Sequence, residues 1–212
     1  KKLEIISSPD MLSILSSDKI EKIKKFISLD EFILHEVYDK QKLNFIGSLK
    51  NLIKLDLKFD KDVQKIENGI LDNRNNLIEL HIDNIKNENI IEKVKTIEKL
   101  EKLTLNNIGI KKLDIINSLK NLRELKVREN KDIEFDITEQ ITNLELIDIS
   151  KCDIKNINFL NKLTSLKKVN MTDNINSQDI DPIRSLINLE ELDISNCNLK
   201  NIDFLQEFHY LK

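Results

Sequence analysis

A short apolar phrase returns along the chain at nearly constant spacing. It consists of an apolar residue, two variable residues, an apolar residue, one variable residue and a last apolar residue. Copies begin at Leu29, Leu52, Leu77, Leu100, Leu122, Leu144, Leu166 and Leu189, and another starts at Leu211, so the steps are 22 to 25 residues. A period of this length indicates stacked, similar units rather than one core assembled from unrelated segments.

Each unit predicts a short strand followed by a tight return. The apolar positions at the end of the phrase alternate with variable ones, which is the period of a strand. Behind them a second apolar set recurs every third residue, as at Ile110, Leu113, Ile116 and Leu119, which favours a 3₁₀ segment. Since one unit cannot cover its own apolar edges, we expect an α/β solenoid with a curved parallel sheet on its concave face and the returns on its convex face.

The most regular copy, LEELDISNCNLKNIDFL, begins at Leu189. With its neighbours it resembles the leucine-rich repeat family, in the 22-residue class that SDS22-like phosphatase regulators and internalin-like proteins share. The resemblance implies a leucine-rich-repeat fold and a role in protein recognition. At the family's Asn/Cys position this sequence has Asn130, Cys152, Asn174 and Cys197, whereas the earlier copies depart from the pattern with Asp60, Ile85 and Ile108.

The segment before the repeats has a helical pattern. Asp18 and Glu21 are spaced as a capping box, and Ser8-Pro9 is typical of a second helix start. We therefore predict an N-terminal helical cap over residues 1–28, and about eight repeats over residues 29–212, of which the last is incomplete.

Composition argues against several functions. The 37 acidic and 34 basic residues nearly cancel, so no strong positive field favours nucleic acid, and no apolar stretch is long enough for insertion into a membrane. Neither the histidines nor the cysteines have metal-ligand spacing, and no catalytic set stands out. We expect no enzyme activity, no metal and no cofactor. Cys152 and Cys197, two repeats apart, are expected to be buried, reduced thiols.

The variable positions of the strands are the candidate binding surface. One column alternates in charge through Glu31, Lys54, Glu79, Lys102 and Glu124, is interrupted at Leu146 and resumes with Lys168 and Glu191. This alternation predicts ion pairs between neighbouring strands. The next columns vary in chemistry. From them, with Phe59 and Leu146 added as apolar anchors, we select the protein-binding candidates His35, Lys58, Phe59, His81, Asp83, Asn106, Lys126, Arg128, Leu146, Asp148, Asn170 and Asp193. A core position is the alternative for Phe59.

These features predict a non-enzymatic module that binds another protein on its concave face. The leading hypothesis is a monomeric, cytoplasmic scaffold with a regulatory or assembly role. One alternative is a secreted or surface-exposed adhesin or effector of the internalin type. The other is a substrate-recruiting region of a larger enzyme.

Overall fold

A computed structural model describes residues 1–6, 17–25, 29–37, 40–60, 68–86, 90–138, 141–174, 180–199 and 201–212. The chain forms two compact units, Lys1–Ile108 and Gly109–Lys212, called unit 1 and unit 2 below. In both units short parallel strands alternate with tight returns, as the repeat predicts.

Unit 1 contains a parallel sheet in which the strands follow one another in chain order. Its strands are β1 (Lys2–Ile6), β2 (Glu31–Val37), β3 (Lys54–Phe59), β4 (Glu79–Asp83) and β5 (Lys102–Asn106). The returns include the helices α1 (Ser17–Lys24) and α2 (Ile90–Val94) and the 3₁₀ segments Lys40–Ser48 and Asn68–Leu71. The repeats of unit 1 are longer than those of unit 2 and so leave room for these helical returns.

Unit 2 has shorter strands and more regular returns. Its main parallel sheet consists of β7 (Glu124–Lys126), β9 (Leu146–Asp148), β10 (Lys168–Asn170) and β11 (Glu191–Asp193), and a small second sheet pairs β6 (Lys112–Leu113) with β8 (Glu134–Phe135). The returns contain the 3₁₀ segments Ile115–Asn117, Asn158–Lys162, Asp181–Ser185 and Asp203–Glu207. The predicted 3₁₀ character of the returns is therefore confirmed in this unit.

The strand register matches the repeated phrase. Leu55, Leu80 and Leu103 are direct partners in adjacent strands of unit 1 and are buried, and Leu125 heads the equivalent row in unit 2. Leu192 continues that row but is only half-buried, since it lies in the last strand of the sheet. Burial of each such leucine contributes on the order of 2 kcal/mol, so a slip of one residue is strongly disfavoured.

The N-terminal segment differs from the prediction at residues 1–6. Of these, Lys2–Ile6 form β1, in which Lys2 and Leu3 pair with Glu31 and Phe32 of β2. The reason is that Leu3 and Ile5 extend the inward apolar row of the neighbouring strand, a contact that the helical pattern does not reveal. The predicted helix is present as α1 and begins at Ser17, while the second predicted start at Ser8-Pro9 lies outside the described residues.

A buried arginine ties two returns of unit 1 together. Arg74 is 3% exposed, and its guanidinium donates hydrogen bonds of 2.5 to 2.9 Å to the carbonyl oxygens of Ile46, Leu49 and Ile70. These carbonyls lie in or beside the two 3₁₀ segments of unit 1, and the C-terminal end of a helical segment leaves carbonyl acceptors without partners inside the segment. Burial lowers the pKa of Arg74 to about 10, although the negative charge of Asp72 acts to raise it. The side chain is therefore a cation at neutral pH.

The Asn/Cys positions of unit 2 form a buried polar ladder. The Asn174 amide oxygen accepts hydrogen bonds from the backbone N–H groups of Cys152 and Ile154, and its NH₂ group donates to the carbonyls of Ile149 and Met171. Asn130 has the same role two repeats earlier. Its amide oxygen accepts hydrogen bonds from the backbone N–H groups of Gly109 and Ile110, and its NH₂ group donates to the carbonyls of Val127 and Arg128. The side chain thereby satisfies backbone groups that the turn leaves without partners.

The two cysteines occupy the same ladder as weaker donors. The thiols of Cys152 and Cys197 donate to the carbonyls of Val127 and Met171, respectively, and each Sγ–O distance is 3.1 Å. Both are buried and free of disulfide bonds, as predicted. Burial raises the pKa of Cys152 to about 12 and also raises that of Cys197, so neither thiol is a ready nucleophile at neutral pH.

Left-handed residues close the turns after the strands. Glu129, Lys151, Asp173 and Asn196 have φ between 55° and 61°. In this region a side chain costs roughly 1 to 2 kcal/mol relative to the ordinary conformation, whereas glycine adopts it freely. Lys151 is exposed, and its backbone N–H continues the ladder to the carbonyl of Thr172.

We therefore expect Lys151→Gly to stabilise the chain by about 0.5 kcal/mol, because relief of the left-handed strain exceeds the added entropy of the unfolded chain. The measurement is urea unfolding followed by circular dichroism. Lys155→Gly is the matched control, since Lys155 is also an exposed lysine of the same turn region but has no positive φ. An equal loss of stability in both variants would contradict this prediction.

Candidate protein-binding surface

The side chains of the strands that point away from the buried rows form two surfaces. The strand face of unit 1 comprises these side chains from β1 to β5, and the strand face of unit 2 those from β7 and β9 to β11 together with the residues that directly follow each strand. The register brings the alternating charge column together within each unit: Glu31, Lys54, Glu79 and Lys102 are successive partners. The predicted interstrand pairs are present at Lys54–Glu79 and Lys168–Glu191, each 2.7 Å between Nζ and Oε1.

The strand face of unit 1 is centred on Asp56. Its carboxylate lies between two imidazoles, with Oδ1 3.2 Å from Nε2 of His35 and Oδ2 3.5 Å from Nδ1 of His81. The other ring nitrogen of His81 is 3.1 Å from Oε1 of Glu79, which also binds Lys54. The structure thus joins the predicted residues His35 and His81, two repeats apart in sequence, through a carboxylate that the sequence prediction left out of the site.

The pKa of the Asp56 carboxyl lies below its ordinary value. Partial burial by itself would raise this pKa, but the hydrogen bond and charge of His81, and the weaker contributions of His35, outweigh that effect. The signal that could have identified Asp56 is its place in the same column as His81, one strand earlier, where register makes the two residues direct neighbours.

This shift has a consequence for stability at low pH. A carboxyl whose pKa is lowered by folding stabilises the folded state above its unfolded pKa, about 3.8, and that contribution is lost as the pH falls through the folded value. We expect wild-type protein to lose more stability than Asp56→Asn between about pH 4 and the onset of acid unfolding. Thermal unfolding across this range is the measurement. The exposed Asp132→Asn is the control, and a wild-type slope equal to that of Asp56→Asn would refute the assignment.

Other candidates on unit 1 differ in accessibility. Lys58 is exposed, Asp83 is half-buried and Asn106 is nearly covered by its neighbours. Phe59 does not belong to the surface: its side chain is 2% exposed, because it follows Leu57 by two residues and so lies on the buried face of β3. The core alternative for Phe59 is correct, and its place among the binding candidates is wrong.

A repeated local cap fixes several candidates on unit 2. Oδ1 of Asp148 accepts hydrogen bonds from the backbone N–H and the hydroxyl of Ser150, and Asp193 does the same with Ser195. Asn170 and Thr172 repeat the arrangement between them. These side chains therefore end the strands as well as lining the surface, and their positions are held before any partner binds.

The side of this face formed by β7 and β9 is more open to a ligand. Leu146 interrupts the charge column between Glu124 and Lys168 and is half-buried. The side chain of Arg128 is about half exposed and lies 3.8 Å from Oδ2 of Asp148, whose own side chain is only 11% exposed. The backbone of Lys126 pairs with Asp148 in the sheet, but its side chain has no hydrogen bond or ion pair with any described residue, so its charge is available to a partner.

The described residues show few features of other functions. No group of three or more His, Cys, Asp or Glu side chains among them is arranged to hold a metal ion. Within the same part of the chain, no helix has the length and apolar character that crossing a membrane requires.

Solved structures with the same arrangement of strands and returns identify the fold. Internalin C2 from Listeria monocytogenes matches with a TM-score of 0.64 and 24% identity, over 79% of this chain and 72% of that chain. The present chain has a leucine-rich-repeat fold. Internalin F from the same bacterium matches with a TM-score of 0.55 and 18% identity over 90% of this chain and 68% of its own. The leucine-rich repeat domain of the type III effector XopL matches with a TM-score of 0.61 and 19% identity, over 98% of this chain and 73% of that chain.

No family model matches the sequence, and no curated protein is similar to it. The leucine-rich-repeat assignment therefore depends on the strand register, the buried ladder and these structural matches together. At such identities the matches establish the fold alone.

Proposed function

We propose that the chain is a protein-binding module that uses the side chains of its strand faces to hold a partner protein. The observation that carries this proposal is the contrast between the two sides of each strand. The buried rows repeat the same apolar residues from strand to strand, whereas the strand faces change from the imidazole–carboxylate cluster around Asp56 to the cations beside Leu146. A stable framework with a variable surface is what specific recognition requires.

The proposed setting is a monomeric, non-enzymatic scaffold in the cytoplasm with a regulatory or assembly role. Two buried thiols without a disulfide support a reducing compartment. The similarity to internalins supports the alternative of a secreted or surface-exposed adhesin or effector. Light scattering of the purified 24.8 kDa chain tests the monomer, and labelling of the native protein in fractionated cells distinguishes the compartments.

The proposed function is tested by capture of partners on immobilised protein, with one variant for each face. Lys126→Glu with Arg128→Glu reverses the cations of unit 2, and Lys58→Glu with His81→Ala alters the face of unit 1. Asp148 is left intact because its carboxylate caps a strand. Lys111→Glu with Lys155→Glu, two exposed lysines on the return side, is the control.

We expect at least one face variant to lose the proteins that both wild type and control capture. All variants must retain the wild-type circular dichroism spectrum. Equal capture by all of them would reject the strand faces as the binding surface.

A further inference from the structure

One row across the strand face of unit 2 carries two charges that the described residues do not neutralise. Lys126, Asp148, Asn170 and Asp193 are direct partners in successive strands. At the outer ends of this row, Lys126 has no ion pair within the described residues. Asp193 accepts hydrogen bonds from Ser195 and from the side chain of Thr172, but it meets no cation in the described part of the chain. The row therefore begins with an available ammonium and ends with an available carboxylate.

The charges between and beside these ends are already paired. Oδ2 of Asp148 lies 3.8 Å from Arg128 and 3.4 Å from the amide nitrogen of Asn170. Lys168 binds Glu191, and Lys212 binds Glu190 over 3.1 Å. A ligand that lies along the row consequently meets a cation at one end, an anion at the other and a neutralised middle.

The surface between the two ends is hollow and partly apolar. A depression of about 400 Å³ is lined by Lys126, Leu146, Lys168, Asp193 and their neighbours. Leu146 supplies a half-buried apolar side chain there. Leu146 lies beside the row, in the column of Glu124 and Lys168. An apolar side chain beside a row with charged ends suits a peptide that has an apolar residue between two opposite charges.

The spacing determines how far apart those charges must be. Three steps between adjacent strands separate Lys126 from Asp193, or roughly 14 Å at the usual strand spacing of about 4.8 Å. An extended chain advances about 3.3 Å per residue, so positions i and i+4 lie about 13 Å apart. Positions i, i+2 and i+4 also share one face of an extended segment.

We propose that the strand face of unit 2 binds an extended segment of the partner that carries an acidic residue at i, an apolar residue at i+2 and a basic residue at i+4. The acidic residue pairs with Lys126, the apolar residue contacts Leu146, and the basic residue pairs with Asp193. This inference rests on the proposed protein-binding function and names the chemistry of the partner.

The test uses three fluorescein-labelled pentapeptides and the full chain, with binding measured by fluorescence anisotropy at low salt. The mixed peptide is Glu-Thr-Val-Thr-Lys, the acidic one Glu-Thr-Val-Thr-Glu and the basic one Lys-Thr-Val-Thr-Lys. We expect wild type to bind the mixed peptide about fivefold more tightly than either of the others, since an exposed ion pair contributes up to about 1 kcal/mol.

Charge exchange then moves the preference in a defined way. Lys126→Glu leaves two anions and should favour the basic peptide, whereas Asp193→Lys leaves two cations and should favour the acidic one. The double variant K126E/D193K should prefer the mixed peptide again. Asp193→Asn is included because Asn170 caps Thr172 in the same geometry, so this variant keeps the cap and loses only the charge.

Equal binding of the three peptides, no measurable binding, or an unchanged ranking in the variants would each overturn the inference. If partner capture depends on a strand face while the peptides show no preference, the proposed function stands and the inference fails. If capture is also independent of both faces, the proposed function and the inference fail together.

Discussion

Arg74→Met is expected to lower the free energy of unfolding by about 4 kcal/mol. Methionine fills most of the volume of arginine but donates no hydrogen bond. The carbonyls of Leu49 and Ile70 would be left buried without their donor, and that of Ile46 would keep only the backbone N–H of Leu49. Each unsatisfied buried group costs roughly 1 to 3 kcal/mol. Among the described residues, no carboxylate forms an ion pair with the guanidinium, and Asp72 pairs with Lys93 at 2.6 Å instead. The loss therefore comes from the returns rather than from an ion pair.

Chemical unfolding and hydrogen exchange measure this effect and locate it. Arg74→Lys should lose about half as much, because an ammonium can reach some of the same carbonyls. Arg123→Met is the control, since Arg123 is exposed and makes one surface pair with Glu145, which contributes less than about 1 kcal/mol. If Arg74→Met is as stable as the control, the buried arginine is not what ties the two returns together.

Asn174→Ala is expected to cost about 4 kcal/mol for a related reason. The variant leaves the N–H groups of Cys152 and Ile154 and the carbonyl of Ile149 without the amide that satisfies them, in a site closed to water. The carbonyl of Met171 would keep only the weaker bond from the Cys197 thiol. Asn174→Cys should cost only about 2 kcal/mol, because a thiol at this position still donates, as Cys197 does to Met171.

Urea unfolding compares both variants with Asn188→Ala. Asn188 is exposed and makes one bond of 3.2 Å, to the carbonyl of Thr164, so its removal should cost less than about 1 kcal/mol. Equal losses in Asn174→Ala and Asn188→Ala would mean that the ladder contributes little to the fold. Equal losses in Asn174→Ala and Asn174→Cys would mean that the thiols do not substitute for the amide.

Some candidate side chains on the strand faces also cap the ends of the strands, and the sequence did not predict this second role. The columns were assigned to the correct strands, because alternation along a strand is a local property. Which side chain is free depends on its neighbours across the sheet, however. Asp148 and Lys126 look equivalent in sequence, yet Asp148 is buried and its side chain is bonded to Ser150, whereas the side chain of Lys126 has no bonded partner in the described residues.

The repeated phrase by itself determined the parallel register, the inward rows and the buried ladder, because every copy imposes the same requirement to bury its leucines and one residue of slip would expose them all. The tertiary structure alone decided the role of β1, the bonds of Arg74 and the contact between His35 and Asp56. These features join residues about 20 to 30 positions apart through unequal repeats, and a local period carries no information about which irregular residues will meet.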